Sequence, residues 1–161
     1  MQKPPPQGIK ELLKSAHGKK RGEIMRVFLA DAHSLFRQSL RALLEETNNI
    51  EVVGEANNGP DAVTLTKKIH PDVVVMDITI PGYSGLEAVR KIKRCSPEVK
   101  VIILSKHLDN VYVNQALKYG ALGFVHKDAV YDELIVALDA VEKNRRYLSA
   151  AIEKFHKGGD N

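Results

Sequence analysis

Residues 73–85 read Val-Val-Val-Met-Asp-Ile-Thr-Ile-Pro-Gly-Tyr-Ser-Gly, and this stretch decides the fold. Its four leading apolar residues are typical of a buried strand, which closes on Asp77 before a turn that contains Pro81 and Gly82. An open α/β sheet binds its ligands at the carboxyl ends of its strands, where such a turn lies. The stretch therefore predicts a functional carboxylate, Asp77, at the tip of a buried parallel strand.

Four further apolar runs rich in β-branched residues accompany this strand, and patterns of helical period separate them. We expect the first helix to begin at the N-cap Ser34, and the second to follow Asn58-Gly59 and end before Pro71. Strict alternation implies a parallel sheet covered by helices on both faces, with right-handed crossovers. The prediction is an α/β fold with a doubly wound five-stranded parallel sheet, its strands lying at residues 26–30, 50–54, 72–76, 99–104 and 122–125.

Three other strand ends carry polar side chains: Asp31 follows the first strand, Ser105 the fourth and Lys127 the fifth. These groups should meet Asp77, because the carboxyl ends of parallel strands share one edge of the sheet. Two carboxylates at a wet, shallow site suit Mg²⁺ better than zinc, and a hydroxyl with an ammonium binds phosphate-like oxygens. The set indicates phosphoryl chemistry on an aspartate. Four solvated strand ends with no common task are the alternative.

The amino-acid composition limits the classes of protein to which the chain can belong. The chain has 161 residues, of which 43% are hydrophobic and 27% charged, as expected for one globular domain with a short appendage. No apolar run reaches the roughly 18 residues that cross a bilayer, and no signal-peptide core is visible. The single cysteine, Cys95, excludes an intrachain disulfide, suits a reducing cytoplasm and is expected to be buried.

The net charge of +4 comes from the N-terminal part of the chain. Residues 1–25 carry six basic and two acidic side chains and a Pro-Pro-Pro run, which predicts a flexible extension. A weak basic tether for nucleic acid or a partner is the alternative. The folded domain is expected over residues 26–146. Residues 147–161 are expected to form a C-terminal linker or a short helix, with no DNA-binding domain in the chain.

From about residue 26 to residue 149 the chain resembles the receiver domain of bacterial two-component response regulators, a (βα)5 flavodoxin-like fold. The opening Asp-x-His, the Lys-Asp pair in place of the more widespread Lys-Pro, and a closing Tyr-Leu-Ser are similar to the NarL/FixJ (LuxR-type) class. Each motif is weak alone, whereas their ordered set is specific. The matching stretches are Leu29-Ala30-Asp31-Ala32-His33, Met76-Asp77-Ile78 with Pro81-Gly82 and Gly85, Leu104-Ser105, Gly120-Ala121-Leu122-Gly123-Phe124-Val125-His126-Lys127-Asp128 and Tyr147-Leu148-Ser149.

The resemblance implies a role for each residue at the edge of the sheet. Asp77 would accept a phosphoryl group from the phosphohistidine of a sensor histidine kinase. Asp31 and the backbone carbonyl of Thr79 would help Asp77 to hold Mg²⁺, which offsets charge during the transfer. Lys127 would pair with a phosphoryl oxygen.

Two further residues would turn this event into a signal. The resemblance implies that the Ser105 hydroxyl swings toward the phosphoryl group and that Phe124 is the aromatic switch, which turns inward as Ser105 moves. The chain would thus be a cytoplasmic signalling switch and not an enzyme. Its partners would be the kinase and, in a homodimer, a second copy of the chain. DNA would be bound only through an output domain that these residues do not include.

Two positions depart from the family's pattern. Ala32 stands where the family usually has the carboxylate that touches Mg²⁺ directly, so metal affinity should fall about 10- to 100-fold or more. Lys106 stands where the family usually has a small residue. It either points outward and narrows access, or places its ammonium where the cation would lie and fixes the pocket in one state. The alternative function is therefore an atypical receiver, which binds its partners without phosphorylation.

Two other classes of function have less support. A flavin-binding doubly wound protein would need a phosphate-binding loop after the first strand, whereas Asp31-Ala32-His33-Ser34 contains no glycine and carries an acid. A transcription factor of the resembled class would need a helix-turn-helix module after the receiver. We therefore do not expect these residues to bind DNA themselves.

Overall fold

The computed structural model describes residues 23–107 and 109–152, where six strands alternate with five helices. The strands are β1 (Met25–Ala30), β2 (Ile50–Ala56), β3 (Val73–Asp77), β4 (Lys100–Ser105), β5 (Gly123–His126) and β6 (Tyr147–Leu148). The helices are α1 (Ser34–Glu45), α2 (Gly59–Ile69), α3 (Gly85–Cys95), α4 (Asn110–Lys118) and α5 (Val130–Glu142), with a 3-10 turn at Lys127–Ala129. Within the described ranges no helix is long and apolar enough to cross a bilayer.

One sheet contains all six strands in the order β2-β1-β3-β4-β5-β6, and every neighbouring pair is parallel. The first strand, β1, therefore lies next to the edge strand β2, and the later strands extend the sheet in the opposite direction, from β3 to β6. Helices α1 and α5 pack on one face, and α2, α3 and α4 pack on the other. The predicted doubly wound α/β fold is confirmed, and all strands end at the same edge.

Successive residues of a central strand enter opposite halves of the core. Val27 and Leu29 pack with α1 and α5, whereas Phe28 and Ala30 pack on the opposite face. Strand β3 is buried at all five positions, which explains why its sequence is a continuous apolar run. A shift of one residue would exchange the two faces of the strand, so this burial fixes the position of Asp77.

Short polar side chains cap the N-termini of three of the helices. The side chain of Asn58 accepts the N–H of Asp61 at the start of α2, and Ser84 caps α3 in the same way. Asp109 Oδ1 accepts the N–H of Val111 at the start of α4. Each such cap is worth about 0.5–2 kcal/mol. The predicted start of α2 at Asn58-Gly59 is confirmed.

Two local expectations were wrong. Helix α1 begins at Ser34 itself, its N-cap residue is His33, and no side chain caps it by a hydrogen bond. Ser34, whose side chain could have capped the helix, is the first helical residue and does not occupy the N-cap position. Cys95 is exposed, because it is the last residue of α3 and lies beyond the buried stripe that ends at Ile92.

Strand β6 was not predicted, so the five-stranded sheet was one strand short. The Tyr147 N–H donates to the carbonyl of Leu122 at 3.0 Å, and the Ser149 N–H donates to the carbonyl of Phe124 at 2.9 Å. A strand of two residues has no period that a sequence pattern could reveal. The sheet thus extends into residues that were expected to be a linker.

Glu133, in the first turn of α5, holds the segment that contains β6. Its Oε1 accepts hydrogen bonds from the Tyr147 hydroxyl at 2.5 Å and from the Ala150 N–H at 3.2 Å, and its Oε2 accepts the Ser149 hydroxyl at 2.6 Å. Ile152 is fully buried in the core. Residues 150–152 are helical, and the remainder of the expected terminal helix lies outside the described residues, as does most of the predicted N-terminal extension. The predicted domain boundaries stay predictions.

Two glycines shape the loop between β3 and α3. Gly82 has φ +92°, a conformation that side chains rarely adopt. A Cβ on Gly85 would lie 2.5 Å from the Cα of Ile78, so only glycine lets the start of α3 approach the end of β3 this closely. The loop after Asp77 therefore packs closely against the end of β3.

Candidate functional site

The four polar groups at the strand ends meet at one edge of the sheet, as predicted. Asp31 follows β1, whose last residues pair with β3, and Asp77 is the last residue of β3. Ser105 ends β4 and Lys127 follows β5. The side chains of both aspartates, Ser105 and Lys127 are all almost fully buried. Parallel strand order places them here, since neighbouring strands end level with one another.

The Lys127 ammonium lies between the two carboxylates. Its Nζ is 2.9 Å from Asp31 Oδ2 and 3.1 Å from Asp77 Oδ2, and it also lies 4.4 Å from the ring centre of Phe36 on α1. Burial lowers the pKa of Lys127, but the two carboxylates together outweigh that effect and raise the pKa above its usual range. Lys127 therefore stays charged and compensates one of two negative charges, which leaves the set of three with a net charge of −1.

A short loop fixes the Asp77 carboxylate from the other side. The Thr79 N–H donates to Asp77 Oδ1 at 3.2 Å, and the Thr79 hydroxyl donates to Oδ2 at 3.1 Å. Both carboxylate oxygens thus have partners, two from Thr79 and one from Lys127. This arrangement aims the carboxylate before any ligand arrives, and it spares the site a reorganisation cost.

A matching turn follows β1 and holds Asp31. The His33 N–H donates to Asp31 Oδ1 at 2.8 Å, and His33 Nδ1 lies 3.1 Å from the same oxygen. From α1, Arg37 Nη1 donates to the Asp31 carbonyl at 2.6 Å. The second oxygen, Oδ2, is buried and pairs with Lys127 through charge, but it receives no hydrogen bond of good geometry.

Ser105 and Phe124 lie on the neighbouring strands β4 and β5, two positions apart in register. The Ser105 hydroxyl oxygen accepts the His107 N–H at 2.9 Å, and the residue is completely buried. Phe124 pairs with Ile103 on β4 and is also completely buried, in the half of the core that includes Val113 of α4. The aromatic ring that was expected to turn inward is thus already inside the core.

A pocket of about 510 Å³ opens above these groups. Its walls include Asp77, Thr79 and Lys127 at the strand ends, together with residues that the sequence analysis did not assign to the site. Phe36 belongs to the apolar face of α1, and nothing in its spacing marks it as a site residue. His33 lies two residues after Asp31, and this spacing places its imidazole beside the carboxylate. The other described residues that line the pocket, besides Lys106, are His33, Phe36, His107 and Asp128.

Lys106 lines the pocket but does not enter the acidic cluster. Its side chain is exposed and forms no ion pair in the part of the chain that the structure describes, while its carbonyl contacts His126 Nε2 at 3.2 Å. The ammonium that lies between the carboxylates belongs to Lys127. The exposed side chain agrees with the outward-pointing interpretation of Lys106, and its effect on the pocket stays a prediction.

The residues that the resemblance implied for Mg²⁺ can be tested against this geometry. Asp31, Asp77 and His33 each offer a ligand atom, and these atoms all lie within 4.8 Å of one another. Asp31 Oδ2 is buried and already pairs with the Lys127 ammonium at 2.9 Å, so a metal ion bound here would share this carboxylate with Lys127. Ala32 is exposed and adds no donor. The site fits a divalent cation with one oxygen ligand fewer than the family usually supplies.

Comparison with known proteins identifies relatives over most of the chain. The family model for the response regulator receiver domain matches residues 27–139. Response regulator UvrY of Escherichia coli (strain K12) is 40% identical over 129 residues, which cover 80% of this chain and 59% of that protein. Response regulator GacA of Pseudomonas aeruginosa is 33% identical over 129 residues, which cover 80% and 60%. The chain thus spans about three fifths of the length of these curated relatives.

Solved structures agree with the sequence matches. A two-component response regulator of the LuxR family from Aurantimonas sp. SI85-9A1 superimposes with a TM-score of 0.82 at 32% identity, over 85% of this chain and 98% of that chain. The signal receiver domain of NarL from Mycobacterium tuberculosis gives a TM-score of 0.73 at 34% identity, over 76% and 99%. The alternative of a phosphorylation-independent module gains no support from these matches.

Proposed function

The chain belongs to the response regulator receiver domain family and to its NarL/FixJ class, and from this premise we propose that Asp77 accepts a phosphoryl group from a histidine kinase. The observation that carries the proposal is the preset carboxylate at the tip of β3, which has Lys127 Nζ 3.1 Å from Oδ2 and lines an open pocket. An oxygen nucleophile beside a fixed positive charge is what phosphoryl transfer requires.

The proposed transfer uses groups that already stand in the pocket. A new O–P bond forms to a carboxylate oxygen of Asp77 while the P–N bond of the phosphohistidine breaks, and its electron pair returns to the imidazole, which takes up a proton. Lys127 would compensate charge on the phosphoryl oxygens, since its amine stays protonated at neutral pH. Thr79 keeps the carboxylate aimed through its backbone N–H and its hydroxyl.

Asp31, Asp77 and the backbone carbonyl of Thr79 are the proposed ligands of Mg²⁺. When bound there, the ion would offset the charge that gathers between the nucleophile and the phosphoryl group. Ala32 contributes no oxygen, so the proposed affinity is weak. Lys127 and the ion would share the task of neutralising two buried carboxylates.

The proposed response runs from the pocket along β4 and β5 to the C-terminal segment. The Ser105 hydroxyl is held only by the His107 N–H in the described structure, and a phosphoryl oxygen would compete for it. Phe124 is on β5, which lies between β4, the strand that ends at Ser105, and β6. It pairs with Leu148 of β6. A change at Ser105 would therefore reach residues 147–152, which Glu133 fastens to α5.

The partners follow from the proposed role. A sensor histidine kinase would supply the phosphoryl group to this chain in the cytoplasm, and a second copy of the chain could form a homodimer. DNA would be bound through an output domain outside these residues, as the greater length of the matched relatives suggests. The chain would act as a signalling switch and would not be an enzyme in its own right.

The test is incubation with acetyl phosphate and Mg²⁺, followed by intact mass measurement. We expect one phosphoryl group per chain in the unaltered protein and none in Asp77→Asn. The matched control is Asp128→Asn, which removes an exposed carboxylate from the wall of the same pocket and should leave labelling unchanged. Labelling that survives in Asp77→Asn, or that never occurs, would contradict the proposal.

A further inference from the structure

The aromatic ring of Phe36, on α1, lines the pocket and faces the Lys127 ammonium. Lys127 Nζ lies over the ring, 4.4 Å from its centre. A cation within about 6 Å of the centre of a ring, over its face, is attracted by the negative potential of that face. The side chain of Lys127 is 8% exposed, so little water weakens the attraction. The two residues therefore form a desolvated cation–π pair inside the pocket.

The ring acts on the ammonium together with the two carboxylates, but in a different way. Asp31 Oδ2 and Asp77 Oδ2 lie 2.9 Å and 3.1 Å from Lys127 Nζ and bind it as charged acceptors. The attraction of a ring face does not fix an N–H group to one acceptor atom. The ammonium can therefore turn from a carboxylate oxygen to a phosphoryl oxygen while it keeps the ring as a neighbour.

Hydrogen bonds and packing hold the ring in place, although Phe36 and Lys127 belong to different elements. The Ser39 hydroxyl donates to the Phe36 carbonyl at 2.8 Å and lies 2.6 Å from the hydroxyl of Tyr131, on α5. Lys127 opens the 3-10 turn that leads into the same helix. Phe36 is half-buried and packs against the half of the core between α1 and α5. The position of the ring is thus set before any phosphoryl group arrives.

We propose that Phe36 is a positioning residue for phosphoryl transfer, whose ring face holds the Lys127 ammonium at the pocket and screens it from water. Phe36 acts through Lys127, and the proposal rests on the function proposed for Asp77. An aliphatic side chain at position 36 would fill much of the same space but would lack the negative ring face that attracts the ammonium.

Replacement of the ring by an aliphatic side chain tests the contact directly. We expect the rate at which acetyl phosphate labels Asp77, followed by intact mass, to fall about 5- to 30-fold in Phe36→Leu. Phe36→Tyr keeps the ring face and should label at a rate within about twofold of the unaltered protein. The matched control is Leu35→Ala, since Leu35 is the preceding residue of α1, is 79% exposed and should leave the rate unchanged.

Fluorinated phenylalanines at position 36 separate the attraction of the ring from its packing. Each fluorine withdraws electron density from the ring face and weakens its attraction for a cation, while the size of the side chain changes little. Along a series of mono-, di- and trifluorinated rings, we expect the logarithm of the labelling rate to fall in proportion to the number of fluorines. A purely structural role of Phe36 would leave the rate nearly constant.

A second measurement needs no phosphoryl donor. In a double-mutant cycle that combines Phe36→Leu with Lys127→Met, urea unfolding gives the coupling between the ring and the ammonium. We expect this coupling to change the unfolding equilibrium constant by a factor of about 5 to 30. The same cycle with Lys106→Met should give a factor close to one, because the side chain of Lys106 is exposed at the same pocket.

The outcomes separate this inference from the function on which it rests. A labelling rate that stays constant along the fluorine series, in a protein that is otherwise labelled, would overturn the inference and leave the function proposed for Asp77 intact. A coupling factor close to one between Phe36 and Lys127 would overturn the inference too. If the unaltered protein is not labelled at all, the function proposed for Asp77 fails and the positioning role fails with it.

Discussion

The pocket has two sides that differ in how they are built. On the β3–β5 side, Asp77, Ser105 and Lys127 are buried at or just beyond strand ends and hold one another or the adjoining loops. On the β1 side, Asp31 is buried, but the next two residues, Ala32 and His33, lie exposed in a loop. The buried residues on both sides match the family's pattern, whereas the two departures from it, Ala32 and Lys106, are exposed.

The difference in burial explains which positions tolerate substitution. A substitution at a buried strand end disturbs packing on both faces of the sheet and leaves charges without partners, at a cost of several kcal/mol. A substitution in an exposed loop changes stability little and can alter binding freely. The comparison therefore teaches that the buried and the exposed positions of the pocket differ in their tolerance of substitution.

The largest effect is expected on the β3–β5 side, from Lys127→Met. Removing the ammonium leaves two buried carboxylates without compensation and takes away the positive charge nearest to the phosphoryl oxygens. We expect labelling by acetyl phosphate to slow about 100- to 1000-fold. Lys106→Met is the matched control, because Lys106 lines the same pocket without an ion pair in the described residues and should retain labelling within a few-fold. If Lys127→Met and Lys106→Met slowed labelling equally, the ion pairs of Lys127 would not explain its effect.

On the β1 side, Ala32→Asp should restore what the loop has lost. Position 32 is exposed, so a carboxylate there costs little in folding and adds an oxygen ligand beside Asp31. We expect Mg²⁺ affinity to rise about 10- to 100-fold, measured by calorimetry or by NMR shifts. Ala32→Asn, which has a similar shape but no charge, should gain much less. If Ala32→Asp binds Mg²⁺ no better than the unaltered protein, the cation side is not weakened by Ala32.

A smaller effect concerns Ser105, which the β3–β5 side buries. In Ser105→Ala the His107 N–H loses its acceptor, so the free energy of unfolding should fall by about 1–3 kcal/mol. The matched control is Thr66→Val, since the buried Thr66 hydroxyl has no hydrogen-bond partner among the described residues and its removal leaves none of their polar groups unpaired. Urea unfolding measures both. A variant pair with equal stability would show that the hydrogen bond to Ser105 contributes nothing.

The smallest effect is a pH dependence that belongs to Lys127. Its pKa is raised on folding above the usual 10.5, because the carboxylates outweigh the effect of burial. Folding therefore favours the charged form, and this stabilisation is complete below pH 10.5 and is lost as the pH rises through the higher folded pKa.

Urea unfolding between about pH 9 and pH 11.5 should thus reveal a loss of stability in the unaltered protein that is smaller in Lys127→Met. Other lysines titrate in both proteins, so the difference between the two curves isolates this residue. A difference that grows in the opposite direction would mean that burial, and not the carboxylates, governs the pKa of Lys127.

The sequence was sufficient to predict the parallel sheet and the meeting of Asp31, Asp77, Ser105 and Lys127, because strand ends in such a sheet share one edge. It could not reveal which lysine lies between the carboxylates. Lys106 and Lys127 both follow strands, and only the direction of each side chain in the folded protein separates them. Direction depends on packing, such as that of Phe36 against Lys127, which no local pattern encodes.

Strand β6 and the hydrogen bonds that Glu133 makes to its segment could not be predicted from the sequence, for a related reason. Two residues provide no period, and the hydrogen bonds of Glu133 join positions 14 to 17 residues apart. His33, in contrast, was within reach of the sequence, since two residues after a turn-forming aspartate is a favoured place for contact with it.

The most direct test of the account is the identity of the residue that carries the phosphoryl group. After treatment with acetyl phosphate and Mg²⁺, borohydride reduces an aspartyl phosphate to homoserine, which peptide mass spectrometry locates. The account predicts homoserine at position 77 alone. Homoserine at position 31, or no conversion at either carboxylate, would contradict the division of the pocket into a phosphoryl side and a cation side.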